Sequence, residues 1–414
     1  MPRSVLMLMS QLPHDPASGA PRSDRTVCEF LARAGFRVRC LATTATEQQQ
    51  PGSALDILAR SAVTPDTLTG ADALGPRAVH RFTQRGIDYT LLDTARHGVE
   101  SWMTEHNTQF NALLEQLIRH EMPDITYLYG GLPEERERRK RLRDAGSVIV
   151  FTIHNWGYLH PDAFEDIDHV LTPSRFVADR YRDAIGLETT VAPIPLIEAD
   201  IVPDRRRPTF VTFINPSHDK GVSLVARVAE DICSRRSDIP FMIINARQTA
   251  ANLVRAGAAG GYDLRRFRQI VYSEGVSSPS HIYAVTRILL VPSVWDEPAG
   301  RVTAEAMLCG IPALVADRGG VYETSRGAAY RLPLPDHLQR GSTRPVTSIE
   351  ARPWVEVIER LFDDPREYAD ASARATAAGE HYREPTLLRW YADFFTRAAR
   401  RDTPLRTRLP SAPR

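Results

Sequence analysis

Val291-Pro292-Ser293-Val294-Trp295-Asp296-Glu297-Pro298-Ala299-Gly300-Arg301-Val302-Thr303-Ala304-Glu305-Ala306-Met307-Leu308-Cys309-Gly310-Ile311-Pro312-Ala313-Leu314-Val315-Ala316, followed by Gly319-Gly320-Val321-Tyr322-Glu323, reads as strand, loop, helix and strand. Pro298 suits the first turn of a helix, where its missing N–H would have no partner, and Gly300 lets the backbone come close to a ligand. The helix start then aims unpaired amides and a partial positive charge past the strand end, which is a ready-made diphosphate site. Glu305 falls in the early turns of that helix, where a carboxylate can accept both hydroxyls of a ribose, and Glu297 lies on the loop just before it.

The same unit recurs along the chain, so the fold class is α/β with parallel sheets. The run Val5 to Met9 reads as a first buried strand. A Pro-, Gly- and Ser-containing loop, a helix to Ala34, a Gly35 stop and a strand over Phe36 to Ala42 follow. Phe110, Leu113, Leu114, Leu117 and Ile118 recur at helical spacing before the short strand Ile125 to Tyr129. Ser147 to Ile153 is β-rich and ends in His154-Asn155-Trp156-Gly157, polar groups at a strand's carboxyl end, where open α/β sheets place ligands. Pro193, Pro195, Pro203 and Pro208, with Arg205 to Arg207, look like a linker. Beyond it the pattern restarts with strands over Thr209 to Ile214, Phe241 to Asn245, Gln269 to Tyr272 and Ile288 to Val291.

The organisation expected is therefore an N-terminal Rossmann-like domain over 1–200 and a second over 201–384. A terminal aromatic helix over 385–400 returns to the first domain, and a Pro- and Arg-rich tail, 401–414, is expected to be disordered. A length of 414 residues is roughly two to three typical domains, which agrees.

A formal charge of +1 gives no electrostatic footprint for nucleic acid. Cys28, Cys40, Cys233 and Cys309 have no metal-ligand or disulfide spacing, which fits a reducing cytoplasm. The apolar run at the N-terminus is too short for a signal peptide or a spanning helix. Asp166-Ile167-Asp168 is a DxD string of the kind that holds manganese in metal-dependent transferases of another fold, and it reads here as a solvated loop.

Glu297 and Glu305, with seven residues between them, sit within Glu-Pro-Ala-Gly-Arg and Glu-Ala-Met-x-x-Gly-Ile-Pro, followed by Gly-Gly-x-x-Glu. The whole string resembles the retaining glycosyltransferases of family 4, the group 1 family. The resemblance implies a GT-B fold, two Rossmann-like doubly wound domains facing across a cleft. It also implies transfer of a hexose-type sugar from a UDP- or GDP-sugar, with retention, without metal and without a further cofactor. By resemblance Glu305 holds the nucleotide ribose and Glu297 contacts the donor sugar, while Ala299, Gly300, Arg301 and Val302 bind the donor. Phe213-Ile214-Asn215-Pro216-Ser217-His218-Asp219-Lys220-Gly221 matches the family turn whose Arg and Lys grip the diphosphate. Lys220 is kept, whereas Asn215 or Ile214 stands where the arginine would be. Arg301 could supply the missing cation. Lys220 and Lys140 are the only lysines in an arginine-rich chain, which raises the significance of Lys220.

His154 matches a family histidine that reaches the donor sugar, and Gly19 occupies the place of a glycine-rich loop near phosphate and acceptor. The expected partners are the nucleotide-sugar donor and an acceptor that is a saccharide, lipid-linked or a small molecule. No nucleic acid is expected, and peripheral membrane contact stays open. The rivals are a catalytically inactive nucleotide-sugar binding protein, which the absent arginine favours, and a nucleotide-sugar epimerase on the same fold, which would want a second carboxylate.

Overall fold

The computed structural model describes residues 3–16, 18–47, 53–72, 75–94, 101–246, 248–273, 278–342 and 344–399. The chain forms two compact units, one of Met1–Pro195 with Pro385–Arg414 and the other of Leu196–Glu384. The tail expected over 401–414 lies outside the described residues.

The first unit is built on strands β1 (Ser4–Leu8), β2 (Arg37–Thr43), β3 (Asp66–Asp72), β4 (Gly75–Gln84), β5 (Ile87–Leu92), β6 (Ile125–Leu128), β7 (Val148–Thr152), β8 (His169–Thr172) and β9 (Thr190–Val191). Among the described residues they form one sheet in the order β3-β4-β5-β2-β1-β6-β7-β8-β9. From β5 to β9 every pairing is parallel, with Leu6 opposite both Arg39 and Thr126. Strands β1 and β7 are buried along their whole length, as a sheet covered on both faces requires. The parallel sheet expected from the sequence carries an antiparallel edge. Strands β3, β4 and β5 pair antiparallel, and β4 turns into β5 through Arg85 and Gly86, both at positive φ (49° and 78°).

The helix Glu384–Ala398 carries its apolar face to this unit. Tyr391 meets Phe30 at 6.0 Å between ring centroids, Phe395 meets Tyr127 at 5.4 Å, and the Tyr391 hydroxyl donates to the Pro193 carbonyl at 2.6 Å. Asp166-Ile167-Asp168 is a loop before β8 that is solvated only in part. Ile167 is buried, and Asp168 accepts a 2.8 Å hydrogen bond from the Ile149 amide while pairing with Arg143. Its carboxylate anchors the entry to β8.

The second unit has strands β10 (Phe210–Ile214), β11 (Phe241–Ile244), β12 (Ile270–Ser273), β13 (Thr286–Val291), β14 (Ala313–Ala316) and β15 (Tyr330–Leu332). They pair parallel in the order β12-β11-β10-β13-β14-β15. The chain winds outward one way from β10 and the other way from β13. The seam between those two strands is the topological switch point, outside whose carboxyl ends such sheets bind ligands. Val211, Phe213, Ile288 and Leu290 form the core there, against the helices Val222–Cys233 and Ser348–Asp363. The expected linker is docked rather than free, because the Arg206 guanidinium donates to the carbonyls of Thr286, Cys309 and Gly310.

Candidate functional site

Two loops leave the switch point of the second unit, one after β10 and one after β13, and each enters a helix through a left-handed glycine. Gly221 (φ 84°) precedes the helix Val222–Cys233, and Gly300 (φ 85°) precedes the helix Arg301–Leu308. A Cβ on Gly221 would lie 2.1 Å from the Pro292 carbonyl oxygen, so the loops touch at a point where only glycine fits. The Val294 amide donates to the Asp219 carbonyl at 2.9 Å and ties them together.

Lys220 and Glu297 are thereby brought face to face. Lys220 Nζ donates to Glu297 Oε1 at 2.6 Å, and the Ser293 hydroxyl donates to the same oxygen. The lysine also lies 5.9 Å from the Trp295 ring centroid. Glu297 is 4% exposed. Its backbone is held by Gly319 and Gly320. The Gly320 amide donates to the Glu297 carbonyl at 2.8 Å, and a Cβ on Gly319 would stand 2.7 Å from the Glu297 backbone. The Gly-Gly pair is thus the buttress of the glutamate loop.

The expectation that Pro298 opens the helix is corrected. The left-handed turn at Gly300 delays the helix to Arg301, and Pro298 and Ala299 belong to the loop. The Ala299 carbonyl accepts from the Thr324 hydroxyl at 2.6 Å, and Val302 is half-buried in the first turn. Glu305, also 4% exposed, lies in the second turn with both oxygens engaged. Tyr283 Oη donates to Oε2 at 2.6 Å and Arg301 Nε to Oε1 at 2.9 Å. Each carboxylate oxygen keeps a further lone-pair direction, so the pair orients Glu305 without exhausting it.

Asn215 follows β10 at φ 61°, a conformation that asparagine tolerates better than arginine does. Its side-chain oxygen accepts from the Gln248 amide at 3.2 Å. The backbone therefore has a reason of its own for Asn at this position.

The helix Arg301–Leu308 is braced from behind by the last segments of the second unit. A Cβ on Gly379 would stand 2.3 Å from the Met307 carbonyl, and one on Gly310 would stand 2.5 Å from the Thr376 hydroxyl. Tyr382 Oη donates to the Thr324 carbonyl at 2.6 Å, and Thr324 in turn holds Ala299.

The other two candidates belong to the first unit. His154 follows β7, where its Nε2 meets Asp24 Oδ1 at 3.0 Å and its ring stands edge-on to Tyr129. Gly19 is the first residue of the helix Gly19–Arg33. Among the described residues, a Cβ there would meet nothing within 4 Å. Nearby, the Glu135 carboxyl is raised by burial, offset by hydrogen bonds from the Ser10 hydroxyl and the Leu132 amide.

Sequence reasoning missed Tyr283, Ser293 and Asp24. Ser293 lay within the quoted stretch, four residues before Glu297, and its hydroxyl was the available signal. Tyr283 and Asp24 meet their partners only through tertiary structure.

The fold these units define is the GT-B class of two Rossmann-like α/β units. Over 95% of this chain and 99% of the other, it is similar to a sucrose-phosphate synthase from Thermosynechococcus elongatus, with 14% identity and a TM-score of 0.66. Starch synthase IV from Arabidopsis thaliana, bound to ADP and acarbose, is similar over 97% of this chain and 100% of its own, with 12% identity and a TM-score of 0.65. Anabaena HepE in complex with UDP and glucose is similar over 95% and 99%, with 15% identity and a TM-score of 0.63. At these identities the likeness shows the fold. More particularly, residues 197–376 match the family model described as Glycosyl transferases group 1, which spans Lys220, Glu297 and Glu305. No curated protein matches the chain. Among the described residues, no helix is long and apolar enough to cross a membrane.

Proposed function

We propose that the chain is a retaining, metal-independent glycosyltransferase that moves a hexose-type sugar from a UDP- or GDP-sugar to a hydroxyl-bearing acceptor. The observation that carries this reading is the Lys220–Glu297 pair at the switch point of the second unit, beside a helix start whose second turn presents Glu305. In this reading the amides after Gly300, with Lys220, offset the diphosphate charge that grows as the leaving group departs. Arg301 adds a second cation at the start of that helix. Glu305 accepts the ribose hydroxyls, and Glu297 meets the donor sugar.

Metal independence is supported by these cations and by Asp168 being committed to the Ile149 amide and to Arg143. Retention is carried by the family resemblance alone. It requires the departing phosphate to deprotonate the acceptor on the face it leaves.

A second reading, a nucleotide-sugar binding protein without turnover, is favoured by one observation. Asn215 puts no cation at the end of β10. A thermal-shift screen of nucleoside diphosphates and their sugars, followed by a transfer assay in EDTA, separates the two. The transferase reading expects UDP or GDP to stabilise the protein, by about 2.7 kcal/mol at a hundred times Kd. It also expects the product anomer, read by proton NMR coupling, to match the donor. Stabilisation without turnover would leave the binding protein, and strict dependence on manganese would remove metal independence.

A further inference from the structure

Asp24 is 1% exposed and stands in the second turn of the helix Gly19–Arg33. Its Oδ1 receives two hydrogen bonds, from Tyr127 Oη at 2.7 Å and from His154 Nε2 at 3.0 Å, while Oδ2 is buried and, among the described residues, has no hydrogen-bond partner. Tyr127 accepts in turn from the Thr152 hydroxyl at 2.9 Å. Burial, with the Asp24 charge next, pushes the Tyr127 hydroxyl well above its ordinary range, so its proton stays in place and points at Asp24.

A carboxylate only accepts, so the imidazole nitrogen facing it carries the hydrogen. In the neutral ring that leaves Nδ1 with the lone pair. Among the described residues Nδ1 has no hydrogen-bond partner, and the His154 side chain is 15% exposed, so this nitrogen is reachable. The ring cannot easily turn away. It is held edge-on to Tyr129 at 5.3 Å and 87° as well as by Asp24.

We propose that Asp24 is a positioning residue that locks His154 in the Nε2–H tautomer, presenting Nδ1 as a lone-pair acceptor for a hydroxyl of a saccharide at the strand ends of the first unit. The saccharide half rests on the transferase reading. The tautomer half does not. The ligand group opposite His154 must then be a donor, so an alkyl ether or a deoxy sugar at that position loses the contact. The placement follows from topology as well. His154 leaves the carboxyl end of β7, and the helix bearing Asp24 follows β1, which is separated from β7 only by β6.

The test is nitrogen-15 NMR of histidine in the whole protein, with His154 assigned by loss of its signals in His154→Gln. Read on the neutral ring, the hydrogen is expected on Nε2 with an imine-type Nδ1. Asp24→Asn, which can donate to Nε2, is expected to shift His154 toward the Nδ1–H form. Tyr127→Phe, which removes the other donor to Asp24, is expected to leave the tautomer alone, and it controls for loosening of the helix. A neutral ring carrying its hydrogen on Nδ1 in the unmodified protein would overturn the proposal, as would an unchanged tautomer in Asp24→Asn.

In the transfer assay, Asp24→Asn should lower turnover about tenfold or more with little change in donor KM. Asp24→Glu should restore part of it. A shifted tautomer with unchanged transfer would overturn the saccharide half. Absence of transfer by the unmodified protein would instead sink the transferase reading and the saccharide half with it, leaving the tautomer result to decide the rest.

Discussion

Lys220 Nζ stands 2.6 Å from Glu297 Oε1 although the two residues are 77 positions apart, and the contact joins the loops that follow β10 and β13. A nearly buried carboxylate that shares one oxygen between a lysine and a serine is costly to leave alone. Lys220→Ala and Glu297→Ala should each lower turnover ten- to hundredfold, in line with about 1.5–3 kcal/mol for a charged hydrogen bond. The double variant should fall short of the product of the two, by a coupling of about 0.5–3 kcal/mol in a double-mutant cycle. Additive effects would mean that the pair does not act as a unit.

Glu305 and Glu297 should separate in kinetics. Glu305→Ala is expected to raise the Kd for the nucleoside diphosphate about ten- to hundredfold, while Glu297→Ala acts mainly on turnover. Tyr283→Phe keeps the ring and removes the 2.6 Å hydrogen bond to Glu305, so it should weaken nucleotide binding by a smaller factor. Arg301→Ala, which frees the other Glu305 oxygen, should weaken binding too. Isothermal titration with UDP and GDP reads all four, and equal small effects across the set would remove the ribose assignment.

Backbone geometry makes the next prediction. Gly221→Ala must fit a Cβ where the Pro292 carbonyl oxygen lies 2.1 Å away, at φ 84°, so urea unfolding should show a loss of about 3 kcal/mol or more. Asn215→Arg, the substitution that would restore the family's second cation, should cost about 1 kcal/mol because of φ 61°, whereas Asn215→Gly should be close to neutral.

Acid should act on His14. Burial foremost, and the Arg25 charge after it, lower this imidazole to about 4, while its Nε2 meets Gln84 at 2.8 Å and its ring packs on Tyr89. The unfolded chain titrates near pH 6.5, so it takes up the proton first as pH falls. The stability that neutral His14 contributes is therefore complete above about pH 6.5 and is lost progressively down to about pH 4. His14→Phe should flatten the urea midpoint across that window relative to the unmodified protein. An identical slope in both would show that other groups set the acid sensitivity.

The grouping of Glu297, Gly300, Glu305 and Lys220 was legible because it is local: the first three share one loop and one helix, and Lys220 closes a short turn after a strand. The antiparallel edge was harder to read. Arg85-Gly86 turns β4 into β5 without the Asn-Gly pair that announces a hairpin, and the positive φ at Arg85 leaves no mark in the sequence. Pro298 misled for a physical reason, since Gly300 two positions on adopts a conformation no helix contains. Asp24 and His154 are 130 positions apart, and Tyr283 and Glu305 are 22, so neither pairing follows from periodicity. Both depend on which strand ends the topology sets side by side.

The bracing behind the helix Arg301–Leu308 bears on how much chain a working donor site requires. A polypeptide ending at residue 376, where the family match stops, would retain Lys220, Glu297, Glu305 and Tyr283 yet lose Gly379 and Tyr382. The Thr324 carbonyl would lose its hydroxyl donor, and the Met307 carbonyl would lose the close backbone that covers it. Such a shortened protein would carry Arg301 and Glu305 on a helix stripped of part of its backing, so the recognisable motif is shorter than the piece that holds its shape.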